Sequence, residues 1–224
     1  MKGKVTIQSA IDELQRMYRL LNKTYFEDKL ETPVITILTD SHGGAYGWIT
    51  ENKVWSSKDK VWYREINMCA EYMNREPVLI ITTLLHEMVH LWNIQQGVQD
   101  TSRAGTYHNG RFKVAAESHG LIVEQDSKYG YCVTKPTEEL TALVAEKCRD
   151  GCFKLERMKT YRDGTPKTTE AGCNGKERTT SRAKSSSRKY TCPMCGTVIR
   201  ATKAVNVRCV DCDADFVCDV ESWF

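Results

Sequence analysis

His86, Glu87 and His90 stand in an H-E-x-x-H spacing within the run Leu84-Leu85-His86-Glu87-Met88-Val89-His90-Leu91-Trp92. On a helix, residues four apart lie on one face, one turn above each other. Two imidazoles so placed aim at a common point and can share a Zn²⁺. A carboxylate one residue on, Glu87, then stands where it can take a proton from a water at that point. This is the layout of a zinc hydrolase, most often a metalloprotease. The plain alternative is a pair of hydrogen-bonded histidines on an ordinary core helix. The neighbours weigh against it. Leu79, Ile80, Ile81, Leu84, Leu85, Met88, Val89, Leu91, Trp92 and Ile94 make the segment apolar almost all round, so it is expected to be buried. Polar side chains inside a core need partners, and a metal is one. Pro77 suits the first turn of this helix and Gly97 its C-terminal end.

A catalytic zinc keeps three protein ligands and one open position. The third ligand must come from outside the helix, and the candidates are His42, His108, Glu117 and His119. His108 sits where a polar loop meets a second helix, within reach of a chain returning from His90. His119 lies three turns further along that putative helix, so both could not easily reach one metal. Tyr107 and Arg111 are near in sequence and are candidates to stabilise an oxyanion.

A second constellation is made of cysteines. Cys192/Cys195 and Cys209/Cys212 form two C-x-x-C pairs with 13 residues between them. Each pair presents two thiolates, and the four can close a tetrahedral Zn²⁺ site with no open position. Such a site folds a module and does no chemistry. Val198-Ile199-Arg200-Ala201 and Val205-Asn206-Val207-Arg208 alternate like a hairpin between the two knuckles, which completes the pattern of a small β zinc ribbon. Cys148 and Cys152 can pair on a metal but read better as free thiols, and Cys218 as a spare one.

The elements that must hold these groups follow from periodicity. Ile7, Ile11, Leu14, Tyr18 and Leu21 predict an amphipathic helix over 7–23. Val34–Leu38, Ala45–Ile49, Val54-Trp55, Trp62-Tyr63 and Glu65–Cys69 read as short strands. The helix carrying His86 follows. Phe112, Val114, Ala115 and Ala116, with Leu121-Ile122 after them, suggest the next helix. Tyr129–Val133 reads as a strand, and Pro136-Thr137-Glu138-Glu139 opens a last helix reaching about Cys148. The class is α+β with a small mixed or antiparallel sheet.

Charge divides the chain. Residues 1–153 carry 18 basic and 20 acidic residues, residues 154–189 carry 11 and 4, and residues 190–224 carry 3 and 5. The middle stretch is Ser/Thr/Lys/Arg-rich and poor in apolar residues, as expected of a flexible basic linker between a domain at 1–153 and a ribbon at 190–224. Its cations suit phosphate backbones, and Arg182, Lys184, Arg188 and Lys189 there, with Arg200, Lys203 and Arg208 in the ribbon, are the candidate nucleic-acid contacts. The alternative is a solubilising tether. No run approaches the roughly 18 continuous apolar residues of a membrane span. No signal-peptide core follows Met1, and the C-x-x-C pairs read as metal ligands of a reducing compartment, so a cytoplasmic protein without a membrane partner is expected.

This order of features resembles the SprT-like family of metallopeptidases, which includes the Spartan proteases. The resemblance rests on Leu21-Asn22-Lys23-Thr24-Tyr25-Phe26, His86-Glu87-Met88-Val89-His90, His108-Asn109-Gly110-Arg111-Phe112 and the four ribbon cysteines. It covers about residues 7–150 and 190–215. It implies a zincin-like domain, a catalytic zinc on His86, His90 and His108 with Glu87 as base, and a structural zinc on the ribbon. It also implies protein substrates bound or crosslinked to DNA, single- or double-stranded. Two other classes compete: a non-catalytic, regulatory DNA-binding protein on a protease-like scaffold, and a metal-dependent hydrolase of something other than a peptide. An intact Glu87 favours an enzyme.

Overall fold

A computed structural model describes residues 6–39, 44–160, 166–167 and 188–218. His42, Cys173, Arg182 and Lys184 lie outside them. The chain divides into two units, Met1–Gly175 and Lys176–Phe224.

The first unit is α+β. Helix α1 (Ile7–Tyr25) begins at Thr6, whose side chain accepts from the Ser9 amide while Ser9 reciprocates in a capping box. Its buried face is Ala10, Leu14, Met17, Tyr18 and Leu21; of the sequence pattern, Ile7 is exposed and Ile11 only half-buried. Each fully buried Leu or Met there contributes roughly 1.5–3 kcal/mol. One charge also points inward. Glu13 is held by Arg16 (Nη2–Oε1 2.6 Å) and by the Arg149 amide at 2.9 Å. Burial opposes its ionisation, but these donors prevail and hold the carboxyl below its usual range.

Strands β1 (Val34–Leu38), β2 (Gly47–Ile49), β3 (Trp55–Ser56), β4 (Trp62–Tyr63) and β5 (Glu65–Cys69) follow. β1 runs parallel to β5, and β2 runs antiparallel to β5 on its other side, giving a three-stranded mixed sheet. β3 and β4 pair only with each other among the described residues. Helix α2 (Pro77–Gln95) packs against the mixed sheet. It starts on Pro77 and ends at Gly97, whose φ of +68° suits glycine. By length and composition α2 could cross a membrane, yet 67% of its apolar window is buried inside the protein. It is the spine of the core, with Ile80, Ile81, Leu84, Leu85, Met88 and Leu91 all fully enclosed.

A second sheet flanks α2. Strands β6 (Thr101–Ser102) and β7 (Tyr107–His108) precede helix α3 (Gly110–Ser118), strands β8 (Leu121–Asp126) and β9 (Gly130–Pro136), and helix α4 (Glu138–Lys147). The sheet order is β6-β7-β9-β8. The extension of the helix after Phe112 into Leu121-Ile122 is corrected here. His119 ends α3, Gly120 takes φ +86°, and Leu121 and Val123 alternate with exposed residues as a strand does. Phe153, just before the basic middle segment, is buried in the core, and within the segment the Arg157 amide bonds the Ala70 carbonyl at 2.9 Å. Two short strands, β10 (Lys159–Thr160) and β11 (Pro166–Lys167), pair within it.

In the second unit β12 (Arg188–Thr191), β13 (Val198–Ala201), β14 (Arg208–Cys209), β15 (Ala214–Asp215) and β16 (Val217–Cys218) form two small sheets, β13-β12-β16 and β14-β15. The expected hairpin between Val198–Ala201 and Val205–Arg208 is not formed. β13 pairs instead with β12, in the register Arg188↔Ala201 to Thr191↔Val198. Arg188 and Lys189 thus belong to the ribbon's own sheet.

Candidate metal centre

α2 places His86 and His90 one turn apart, and β7 brings His108 over them. His86 Nε2 and His90 Nε2 each lie 3.1 Å from His108 Nε2. The three ligand atoms fall within 4.8 Å of one another. Phe112, fully buried one turn into α3, forms the floor, with its ring centroid 4.6, 4.6 and 4.7 Å from those of His86, His90 and His108. The first turn of α3 is fixed by Asn109, whose side-chain oxygen accepts from the Arg111 and Phe112 amides. The H-x-x-x-F spacing is therefore one candidate ligand and the ring beneath it.

The far nitrogens are held too. His90 Nδ1 lies 2.7 Å from Asp100 Oδ2, which also receives Asn93 Nδ2 at 2.9 Å. His86 Nδ1 lies 3.1 Å from Thr134 Oγ1 on β9. A buried carboxylate facing Nδ1 requires a donor there, so the Nε2 of a neutral His90 presents a lone pair to the centre. Burial and the facing imidazoles hold His86 well below its ordinary pKa, and burial with His90 brings His108 to about 4. Burial also disfavours charge on His90, but Asp100 outweighs it and raises that ring. The three Nε2 atoms crowd together, and a cation among them would take a lone pair from each. The donor set fits a metal ion.

Asp100 and Thr134 were not among the sequence candidates. Asp100 lies beyond the end of α2, where Val98 N bonds Asn93 O and turns the chain back. Thr134 is 48 residues from its partner. Orienting carboxylates of this kind set the affinity of the ligand they hold. Asp100→Ala is expected to weaken metal binding about 10- to 100-fold, read by competition against a chelator. Unchanged affinity would mean that Asp100 plays no part in the site.

Glycine decides two approaches. At Gly130, with φ +71°, a methyl group would overlap the His108 carbonyl oxygen and meet the Tyr107 ring at 2.9 Å. Only glycine lets β9 lie against the strand that carries His108. Gly130→Ala is expected to cost at least about 2 kcal/mol, from the left-handed backbone and the overlap together. That lowers the first unit's melting temperature by roughly 4–8 °C, and a melt within about 1 °C of wild type would contradict it. At Gly47 on β2, a methyl would lie 3.2 Å from Glu87 Oε1. Glu87 thus faces the edge strand of the mixed sheet. Burial raises its carboxyl to about 7, with a further push from Asp100 and an opposing pull from His90.

The remaining candidates stand elsewhere. His119 stacks on Phe26 at 4.3 Å and neighbours Trp92, with Nδ1 2.6 Å from the Ala115 carbonyl, so it is a packing residue. Glu117 ion-pairs with Lys113 at 3.8 Å. Tyr107 packs beneath Arg103, and Arg111 reaches the Gln99 carbonyl.

In the second unit Cys192, Cys195, Cys209 and Cys212 bring their sulfurs within 4.8 Å of one another, a second group able to hold a metal ion. Cys218 lies on β16, outside the group. Lys189 and Arg200 are cross-strand partners on β12 and β13, Lys203 is exposed, and Arg208 ion-pairs with Asp213 at 2.9 Å. A scan against protein-family models and searches of curated proteins and of solved structures found no match to this chain.

Proposed function

We propose that this chain is a zinc metallopeptidase of the SprT-like type, with a zincin-like first unit, acting on proteins associated with DNA. The observation that carries the reading is the convergence of three imidazole Nε2 atoms beside a buried carboxylate from the same helix. Zinc held by His86, His90 and His108 would polarise a peptide carbonyl and lower the pKa of water toward about 7. Glu87 accepts the proton of the attacking water and delivers it to the leaving amine. Phe112, Asp100 and Thr134 keep the imidazoles oriented. An extended peptide lying alongside β2 would have its backbone near Glu87, which Gly47 lets approach that strand.

DNA association is supported by cations on the ribbon. Lys189 and Arg200 are cross-strand neighbours on β12 and β13, two cations on one small sheet that suit a phosphate backbone. A Cys₄ zinc would hold that surface in shape. The test is cleavage of a DNA-binding protein by purified chain, with and without single- and double-stranded DNA. Cleavage only with DNA supports the full reading. Cleavage without DNA keeps the peptidase and removes the DNA link. No cleavage in any condition defeats it.

A further inference from the structure

The β3–β4 hairpin does nothing for the metal centre and little for the core, yet its composition is unusual. Val54, Trp55, Val61 and Trp62 are each about half exposed, at 51, 46, 49 and 53%. Four large apolar side chains in one ten-residue arm leave apolar surface on both of its faces in solvent. The same arm is basic. Residues 53–64 contain Lys53, Lys58, Lys60 and Arg64 against Asp59 alone, inside a stretch of 153 residues in which acids outnumber bases.

The register sorts these groups. Trp55 lies opposite Tyr63, and Ser56 lies opposite Trp62. Trp55 and Tyr63 therefore share one face, and Trp62 is on the other. The base of the arm is fixed to the body. Trp55 Nε1 donates to Glu65 Oε2 at 2.9 Å, Lys53 pairs with Glu31 at 2.9 Å, and Arg64 pairs with the same Glu31. The tip is a tight turn, with Lys60 N bonding Ser57 O at 3.0 Å and Ser57 N bonding Val61 O at 2.8 Å. It carries Lys58 and Lys60, neither of which has an acidic ion-pair partner among the described residues.

We propose that this hairpin docks single-stranded nucleic acid, with its exposed aromatic rings stacking on bases and Lys58 and Lys60 meeting phosphates. Aromatic side chains interleaved with cations are the chemistry that recognises unpaired bases, because every base has a face to stack and every link a phosphate. A duplex hides those faces. A lipid surface fits less well, since the tip that would enter first is Ser57-Lys58-Asp59-Lys60 and not the apolar residues behind it. The arm leaves the body through β2 and β5, and β2 is the strand beside Glu87. A strand of nucleic acid held there would keep an attached protein near the reactive carboxylate. Only that purpose rests on the peptidase reading; the docking is measured without cleavage.

The experiment is anisotropy of a labelled oligothymidylate titrated with the full zinc-loaded chain. Trp62→Ala is expected to weaken binding about tenfold, and Trp62→Phe to restore most of it. The double variant Lys58→Ser/Lys60→Gly is expected to lower the salt slope by about 1.4, the share of two phosphates on a single strand. Its glycine suits the left-handed backbone at position 60, where φ is +60°, so the fold is kept. Wild-type affinity in these variants at unchanged melting temperature overturns the proposal. So does no binding by the wild-type chain, an equal loss on duplex DNA, or a hairpin-dependent capture by phosphatidylserine vesicles that exceeds the oligonucleotide. Hairpin-dependent binding by a chain that cleaves nothing would retain the docking site and remove the peptidase.

Discussion

Glu87→Gln is expected to reduce peptide hydrolysis by about 10²- to 10⁴-fold while the chain binds the same amount of metal. Glutamine has nearly the shape of glutamate, so the packing of α2 persists. It cannot accept the proton that the attacking water must lose. The three imidazoles are untouched, and each keeps its partner: Asp100 for His90, Thr134 for His86, and Phe112 beneath all three. Turnover and metal content should therefore part company. The measurement is single-turnover cleavage beside metal analysis of the same sample. Turnover within a few-fold of wild type would remove Glu87 as the proton acceptor. A parallel loss of metal would make it a structural residue.

Cys209→Ser, or a chelator strong enough to empty the ribbon, is expected to unfold residues 188–218 and leave the melting of the first unit unchanged. Tyr190, Cys192 and Cys209 are the only buried apolar side chains among the described residues of the second unit. A module this small cannot hold a fold by burial alone, and below about 40 residues a metal or disulfide usually supplies the difference. A structural zinc supplies about 10–16 kcal/mol of apparent binding energy in comparable modules, far more than three side chains provide. In proton NMR, dispersed amide signals of the ribbon should collapse while those of the first unit stay. The metal count should fall from about two to about one per chain. A ribbon that stays dispersed without metal would contradict this account.

Much of the centre was legible in the sequence, because its logic is local. The His86–His90 spacing is a helical fact, and the apolar run around it announced burial. His108 was distinguishable from His119 because one lies where a loop ends and the other at the end of a helix. What was not legible depends on chain reversal. Asp100 reaches His90 because the chain folds back after Gly97, and Thr134 reaches His86 from a different strand. Neither carries a spacing signal. β8 did carry one, in the alternation of Leu121 and Val123 with exposed neighbours, but the apolar pair at its start also continues the helical pattern of α3. In the ribbon, two alternating segments between the knuckles looked like natural partners. The strand that precedes the first knuckle takes that place, with Arg188–Thr191 pairing residue for residue with Val198–Ala201.

The placement of His86, Glu87 and His90 on the central helix has an evolutionary corollary. The residues that would do the chemistry occupy positions where apolar side chains would pack without desolvating a charge, so the first unit gives up stability to keep them. Random drift at these three sites runs downhill toward sturdier, inert proteins. A lineage released from the proposed function is expected to lose this triad before its core.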